Sequence, residues 1–505
     1  MRHLYPFAAY PWVRVGICFL PGIWLGRYYT EIPISILFGF LWFVWFLIHL
    51  FFKRQRLFIP ETGLLLLICA FSLGWYISGQ WHRKAAILKR QFHHQKVEAK
   101  ILITSFPTTK DGKKWTLRGD LVSIAIKGFT YNLDCGIYLN ADSSAGKFKP
   151  GSVIMAQAKL YAVSDTASGF QQYLYGIGVW FTGRAYELAE VSDSSGSLYA
   201  QALKLAAWAK DQLYTYIPDE GTAGLATALV TGDRCGLDKE LANQYKQIGV
   251  THILSVSGLH VGLICLILVR IFSVLDKVGT RGRVARIGFV LVALGVYAFV
   301  TGLAPSVCRA VVMSVISLIG QAFNRKSEGE NTLVFTCVVE LAWEPCWLFY
   351  PGFQLSFAAL AGLIWILPMI EDLWEPDNPK VAKIWEMAST AIAAQISTLP
   401  FLIPLATDFP VYFLPANLLI VPLASLLTGG AFALVLLSPV PWIPDVLGWG
   451  IEWITWVMNQ IARVLSILPG VSIPIPIHEV WQAWILGCVI LILFFVLHVF
   501  RKPKG

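Results

Sequence analysis

Apolar runs long enough to cross the ~30 Å hydrocarbon core of a bilayer constrain this chain more than any other feature. They fall at residues 12–30, 33–52 and 63–81, then at 251–273, 286–302, 306–322, 332–348, 353–370, 386–406, 413–437, 445–468 and 481–500. Of the 505 residues, 56% are hydrophobic and only 14% charged, against roughly 25% charged in soluble domains. A soluble globular protein is excluded. The expected fold class is a polytopic α-helical membrane protein of about 12 spans. The net charge of +9 is not by itself a nucleic-acid footprint, because cytoplasmic loops of membrane proteins carry excess Lys and Arg for topological reasons.

Basic loops give the direction of each crossing. Lys53-Arg54-Gln55-Arg56 places the loop after the second run in the cytoplasm, with Arg2 and Arg14 on the same side. The third run then delivers the chain outside near His82. If the run at 251 enters from outside, Arg281, Arg283, Arg286, Arg325-Lys326, Lys380, Lys383, Arg501-Lys502 and Lys504 all fall inside. Both termini are expected in the cytoplasm. The first run lacks a cleavage pattern and reads as a retained anchor. Pro305, Pro415 and Pro422 mark places where runs break or lie flat.

Between residues 88 and 191 the period changes. Short alternating segments at 97–105, 115–126, 130–140, 152–163 and 179–190 read as strands, and Asp111-Gly112 supplies turn chemistry. Five antiparallel strands of this size suit a small external barrel, OB-fold-like. Residues 197–217 read as an amphipathic helix and 221–231 as a second, ending at Thr231-Gly232-Asp233-Arg234. The division is therefore 1–87 membrane hairpin region with three spans, 88–191 extracytoplasmic barrel, 192–250 amphipathic or interfacial helices, and 251–505 polytopic domain. Of nine cysteines, Cys135 and Cys235 fall outside the runs, and their pairing stays open.

The densest polar cluster in an apolar run is Thr251–Gly262, T-H-I-L-S-V-S-G-L-H-V-G. Polar atoms inside a span cost free energy unless partnered. On a continuous helix Ser257 lies about 60° and His252 about 80° from His260, so one face carries all three, while Gly258 and Gly262 form a small-xxx-small packing seam on another. A Ser-His pair admits a hydrolase reading, but i,i+3 neighbours rarely reach nucleophile–base geometry and no orienting acid is evident. Arg309 either snorkels, binds phosphate, or pairs with Glu340 or Asp408. Gln354 and Ser356 add polar atoms to another run, and Gln395, Ser397 and Thr398 to a third; together they suggest a hydrated path. Asp233 and Arg234 sit at the expected outer surface, as a local ion pair or an entrance contact. There is no GxxxxGK[ST], H-x-H or H-E-x-x-H, so no nucleotide hydrolysis through a P-loop, no catalytic metal site and no cofactor are expected.

The same residues resemble a known family. I-G-V-T-H-I-L-S-V-S-G-L-H-V-G, with L-V-T-G-D-R upstream, is similar to the signature of ComEC-type competence proteins. The resemblance continues through T-G-L-A-P-S-V-C-R-A-V-V-M, P-G-F-Q-L-S-F-A-A, A-Q-I-S-T-L-P-F and P-A-N-L-L-I-V-P-L, and G-F-Q-Q-Y-L-Y-G-I-G matches the external barrel. It implies an inner-membrane channel that imports single-stranded DNA during natural transformation. Its implied partners are single-stranded DNA, a DNA receptor outside, a cytoplasmic ATP-driven translocase, a separate nuclease and, in one arrangement, further copies of the chain. The sequence ends at Gly505 without the H-x-H-x-D-H of the metallo-β-lactamase-like domain that many relatives carry. This implies a short form, and no enzyme activity is expected. His252, Ser257, Gly258, His260, Arg309, Gln354, Ser356 and Gln395 would line or shape the path. Single-strand binding needs cations and aromatic faces, and the barrel offers Lys113, Lys114, Trp115, Arg118, Lys127, Tyr131, Tyr138 and Arg184. A solute or lipid transporter is the main rival function, and a membrane Ser/His hydrolase the third.

Overall fold

The computed structural model describes residues 11–30, 61–109, 114–126, 128–164, 169–191, 197–322, 328–405 and 408–475, with single positions 39, 43, 482, 485, 487 and 489. The runs at 33–52 and 481–500, and the candidates Lys113 and Lys127, lie outside the described residues apart from those single positions. The chain divides into two compact units: residues 1–195 with 315–353, and residues 196–314 with 354–505.

In the first unit α1 (Pro11–Tyr28) packs on α2 (Glu61–Phe92). Glycines set how closely the two approach. A Cβ on Gly74 would sit 2.5 Å from the Phe19 carbonyl, and one on Gly26 2.6 Å from that of Trp75. Small residues let membrane helix backbones meet in this way. The helix α10 (Gly329–Trp343) lies on α1, where Trp12 meets Phe335 edge-on at 4.5 Å.

The last turns of α2 lead directly into a barrel. Its strands are β1 (Lys96–Ile103), a two-residue β2 (Thr108–Thr109), β3 (Trp115–Ile126), β4 (Phe129–Ala141), β5 (Val153–Ala162) and β6 (Val179–Val191). The five longer strands lie within two residues of the alternating segments, because each has one face in an apolar core and one face out. The sheet order β1-β5-β6-β4-β3 closes by a β1–β3 pairing, and only β4–β6 is parallel. Phe92, Leu117, Leu121, Ile137, Leu139, Phe148, Leu160 and Phe181 fill the interior, each burial contributing roughly 1.5–3 kcal/mol. Cys135 is buried in this core and Cys235 is exposed, and the two are not bridged, which closes the pairing left open by the sequence.

The second unit begins with α4 (Leu198–Tyr216) and α5 (Glu220–Thr231). (The short α3, Phe170–Gly176, belongs to the barrel.) Helix α4 buries Ala202, Leu203, Ala206, Ala209 and Leu213 and exposes Leu198, Leu205 and Trp208. Helix α5 starts on Asp219, whose carboxylate accepts from Thr222 N at 2.7 Å, and stops at Gly232, with φ of 81°. Every residue from Thr222 to Thr231 is buried. Its Ala, Gly and Thr side chains are small enough for that, and Thr227 and Thr231 return their hydroxyls to carbonyls one turn back.

After α6 (Lys239–Gln247) come α7 (Gly258–Ile271), α8 (Thr280–Val300), α9 (Pro305–Ala322), α11 (Pro351–Trp365), α12 (Leu367–Glu371), α13 (Pro379–Leu402), α14 (Phe413–Leu437) and α15 (Ile443–Ser466). The last two form an antiparallel hairpin in register along its length. A Cβ on Gly430 would lie 3.5 Å from Ile451, Val411 N donates to Val471 O at 3.0 Å, and two short strands, β7 (Asp408–Pro410) and β8 (Ser472–Pro474), close the far end.

Among the described residues, three helical segments are long and apolar enough to cross a membrane: Gly258–Val278, Thr280–Val300 and Phe413–Leu437. Two apolar helices are shorter, Pro305–Gln321 and Pro351–Trp365. Several runs are therefore cut by local structure: 353–370 breaks at Ile366, and 332–348 gives way to a 3-10 turn at Pro345.

Candidate functional site

The segment 248–262 is not one helix. Gly249, with φ of 80°, ends α6 and lets Val250 N return to Tyr245 O at 2.9 Å. Thr251–Leu254 forms a single 3-10 turn, Ser255 and Ser257 are extended, and α7 starts only at Gly258. This corrects the expected shared face: His252 is exposed on the 3-10 turn, while His260 is buried inside α7. The cause is local. Two serines within three residues compete with helical hydrogen bonds, and the Ser257 N–H is captured by His260 Nδ1 at 3.1 Å. The arrangement is a capping box with histidine in the place of Glu or Gln. The seam is half used: a Cβ on Gly258 would touch Ala310 at 3.7 Å, whereas one on Gly262 would meet nothing.

That hydrogen bond decides what His260 can do. Nδ1 accepts from the backbone, so its lone pair is occupied and the proton of the neutral ring sits on Nε2 by this assignment. Ser257 Oγ lies 3.4 Å from the same nitrogen. A general base cannot use a lone pair already committed to an N–H, so the Ser/His hydrolase reading loses its base.

Helix α9 enters the same locus. Ser306 Oγ donates to Val256 O at 3.0 Å, and Arg309 Nη2 reaches Ser306 O at 3.4 Å. Arg309 is 3% exposed, with its guanidinium 5.4 Å from the Phe357 ring centroid on α11, so it does not snorkel. Gln354 and Ser356 precede Phe357 on that helix and are half-buried. Further along, Gly362 of α11 meets α13: a Cβ there would lie 2.7 Å from the Ala393 carbonyl and collide with Ser397 Oγ. Helix α13 carries Gln395, whose Nε2 is buried without a partner among the described residues. The polar positions of α7, α9, α11 and α13 thus belong to successively contacting helices. Thr398 is not a free polar group, since its hydroxyl returns to Ala394 O at 2.8 Å.

Asp233 is fixed by Lys210 Nζ at 2.9 Å and accepts from Cys235 N at 3.1 Å, whereas Arg234 is exposed. The local Asp233–Arg234 pair is therefore replaced by one with α4. Sequence reasoning missed Lys210, Ser306 and Phe357, which carry no signal outside their three-dimensional neighbourhood.

On the barrel, the candidates separate. Arg118, Tyr138 and Thr182 stand opposite one another across β3, β4 and β6, with Tyr161 of β5 next in that row. The adjacent row on the same outward face is Thr116, Asn140, Arg184 and Lys159. Trp115 instead packs against the core and Gly146, and Tyr131 turns onto Phe92 at 5.5 Å. Lys114 is exposed just before β3. At the other end of the outward face, burial pushes the Asp120 carboxyl up to about 6; Arg118 pulls against the rise and Asp134 adds to it. Among the described residues no group of His, Cys, Asp and Glu is placed to hold a metal ion.

The competence protein family model matches residues 229–500, more than half of the chain and all of the α7–α13 cluster. ComE operon protein 3 of Bacillus subtilis is 27% identical over 327 residues, covering 63% of this chain and 40% of that protein. Recombination protein 2 of Haemophilus influenzae is 25% identical over 265 residues, covering 51% of this chain and 33% of that protein. An uncharacterised protein of Aquifex aeolicus is 28% identical over 194 residues, covering 38% of this chain and 44% of its own. The matches thus span less than half the length of each of these relatives. No solved structure matches. Apolar helices of spanning length, a polar cluster within them and a family match over that same region give one conclusion: the chain belongs to the competence protein family.

Proposed function

We propose that the chain is a multi-pass conduit of the bacterial inner membrane that carries single-stranded DNA inward during natural transformation. The observation that supports this most is that the competence match, residues 229–500, contains polar positions on contacting apolar helices: His260 on α7, beside the close-packed Gly258, Arg309 on α9, Gln354 and Ser356 on α11, and Gln395 on α13. In this reading Arg309 meets phosphate, the glutamines offer neutral hydrogen bonds to a passing strand, and Ser257 and His260 shape the wall by capping α7. Asp233, Arg234 and His252 stand at the outer entrance. About 12 crossings with both termini in the cytoplasm remain our assignment from the basic loops.

The barrel is read as an OB-fold. Its strand order, closure and parallel β4–β6 pair support this, as does the outward face bearing Arg118, Tyr138, Arg184 and Lys159. We assign it the external DNA-binding role. With no nucleotide-hydrolysis motif in the chain, a cytoplasmic ATP-driven translocase pulls the strand, an outer receptor delivers DNA, and a nuclease removes the other strand. The test is direct. Cells lacking the chain should accumulate no labelled donor single strands in the cytoplasm, and complementation should restore them. Undiminished accumulation in the deletion strain refutes the proposal.

A further inference from the structure

The short helix α3 carries an aromatic arrangement that the barrel core does not need. It begins at Gly169, whose φ of 71° turns the chain, and it is anchored by Leu174, Tyr175 and Gly176, all buried. Phe170 and Tyr173 point the other way. They are 56% and 42% exposed, and their rings lie stacked, 6.2 Å apart and 19° from parallel. Phe170 meets Tyr138 of the outward barrel face at 5.4 Å, and Tyr173 meets Tyr350 at 5.9 Å. Four rings therefore follow one another as Tyr138, Phe170, Tyr173 and Tyr350. Leaving two large rings in water forgoes burial that each could gain in a core.

Three cations stand beside this ladder, and an acid, Asp120, shares the face next along β3 from Arg118. Arg118 stands directly across from Tyr138, and Arg184 and Lys159 are paired in the next row of the same face. Lys159 already sits 5.6 Å from the Tyr161 ring centroid. Aromatic faces in series flanked by cations match the chemistry of a single-stranded nucleic acid, whose bases stack on rings while its phosphates meet Lys and Arg. A duplex fits poorly, because its bases are already stacked on each other.

We propose that Tyr138, Phe170, Tyr173 and Tyr350 form a base-stacking site for single-stranded nucleic acid, with Arg118, Lys159 and Arg184 holding the backbone. This deepens the proposed function, and rests on it, by naming the surface that takes the strand before passage. Phe170 and Tyr173 carry the stacking, being the exposed members.

The experiment uses the full chain in lipid nanodiscs and a fluorescent oligothymidylate, with anisotropy as readout. Phe170→Ala/Tyr173→Ala should weaken binding by about ten-fold or more, as expected for loss of base stacking. Phe170→Tyr/Tyr173→Phe, which keeps both rings, should stay within about two-fold of wild type. An abasic oligonucleotide of the same length should bind the wild type about ten-fold or more weakly than the oligothymidylate does. This last arm needs no variant, so a folding defect cannot mimic it. Wild type that does not bind oligothymidylate, or binds the abasic strand equally well, overturns the proposal. So does a double-alanine variant with unchanged strand affinity but weaker attachment to vesicles, which would make the rings a membrane anchor. Ladder-dependent binding together with undiminished uptake in the deletion strain would sink the conduit and leave this site standing. Lost uptake in the deletion strain with no ladder dependence would do the reverse.

Discussion

Replacing His260 by Ala and by Gln separates a helix cap from a reactive ring. In the structure Nδ1 accepts the Ser257 N–H at 3.1 Å, and the side chain is only 2% exposed. Alanine removes the acceptor and leaves that N–H unpaired in a part-buried place, at a cost of about 1–3 kcal/mol. The loss overlaps with the typical cap contribution of about 1 kcal/mol, so the two are not summed, and about 2 kcal/mol is expected. Glutamine at this position can reach back to the same N–H, as in an S-x-x-Q capping box, so its loss should stay under about 1 kcal/mol. Two assays run together: the unfolding midpoint of the purified chain in detergent, by tryptophan fluorescence, and DNA uptake by complemented cells. His260→Ala should lower both, and His260→Gln should keep both near wild type. A glutamine variant as inactive as the alanine one, with an unchanged midpoint, would refute the cap and restore a role for the imidazole itself.

Three further outcomes follow from the geometry. Lys210→Met strands the part-buried Asp233 carboxylate and should destabilise the chain by about 1–3 kcal/mol. Adding Asp233→Asn should recover part of that loss, and purely additive effects would contradict the pairing. Asp120 has a folded pKa near 6 against an ordinary 3.8, so its charged form is disfavoured by folding. Stability should rise as pH falls from 7 to about 4. Asp120→Asn should flatten that profile and gain at most about 3 kcal/mol at pH 7; a variant less stable at pH 7 would contradict the assignment. Gly362→Leu places a side chain against the Ala393 carbonyl and Ser397 of α13. Uptake should be abolished and the midpoint lowered, whereas Gly288→Leu, where a Cβ meets nothing, should leave the midpoint unchanged.

The barrel strands were legible because their alternation is a direct consequence of one face meeting a core, as Leu117, Gly119 and Leu121 alternate with Arg118 and Asp120. The small-residue helix from Glu220 to Thr231 was legible as a helix, but not as one buried on every side, since Ala, Gly and Thr suit either setting. The break at Ser255–Ser257 was hidden. Thr251–Gly262 reads as one apolar run, and only the Ser257–His260 hydrogen bond shows where α7 begins. That break removed His252 from the face it was expected to share. The barrel face was half visible: Arg118, Tyr138 and Arg184 were named from residue type, but their adjacency depends on the parallel β4–β6 register. Phe170 and Tyr173 stand in a motif of the resemblance but were not binding candidates, because a seven-residue helix between strands gives no period from which to tell inside from outside.

The central claim is that a DNA strand passes along the polar positions of α11 and α13. Site-specific photo-crosslinking during uptake tests it most directly, with the reactive group at Gln354 or Gln395 in one set and at exposed Val292 of α8 or Leu426 of α14 in the other. Adducts with labelled donor strand are expected at Gln354 and Gln395 and none at Val292 or Leu426. Adducts at Val292 or Leu426 with none at Gln354 and Gln395 would contradict it.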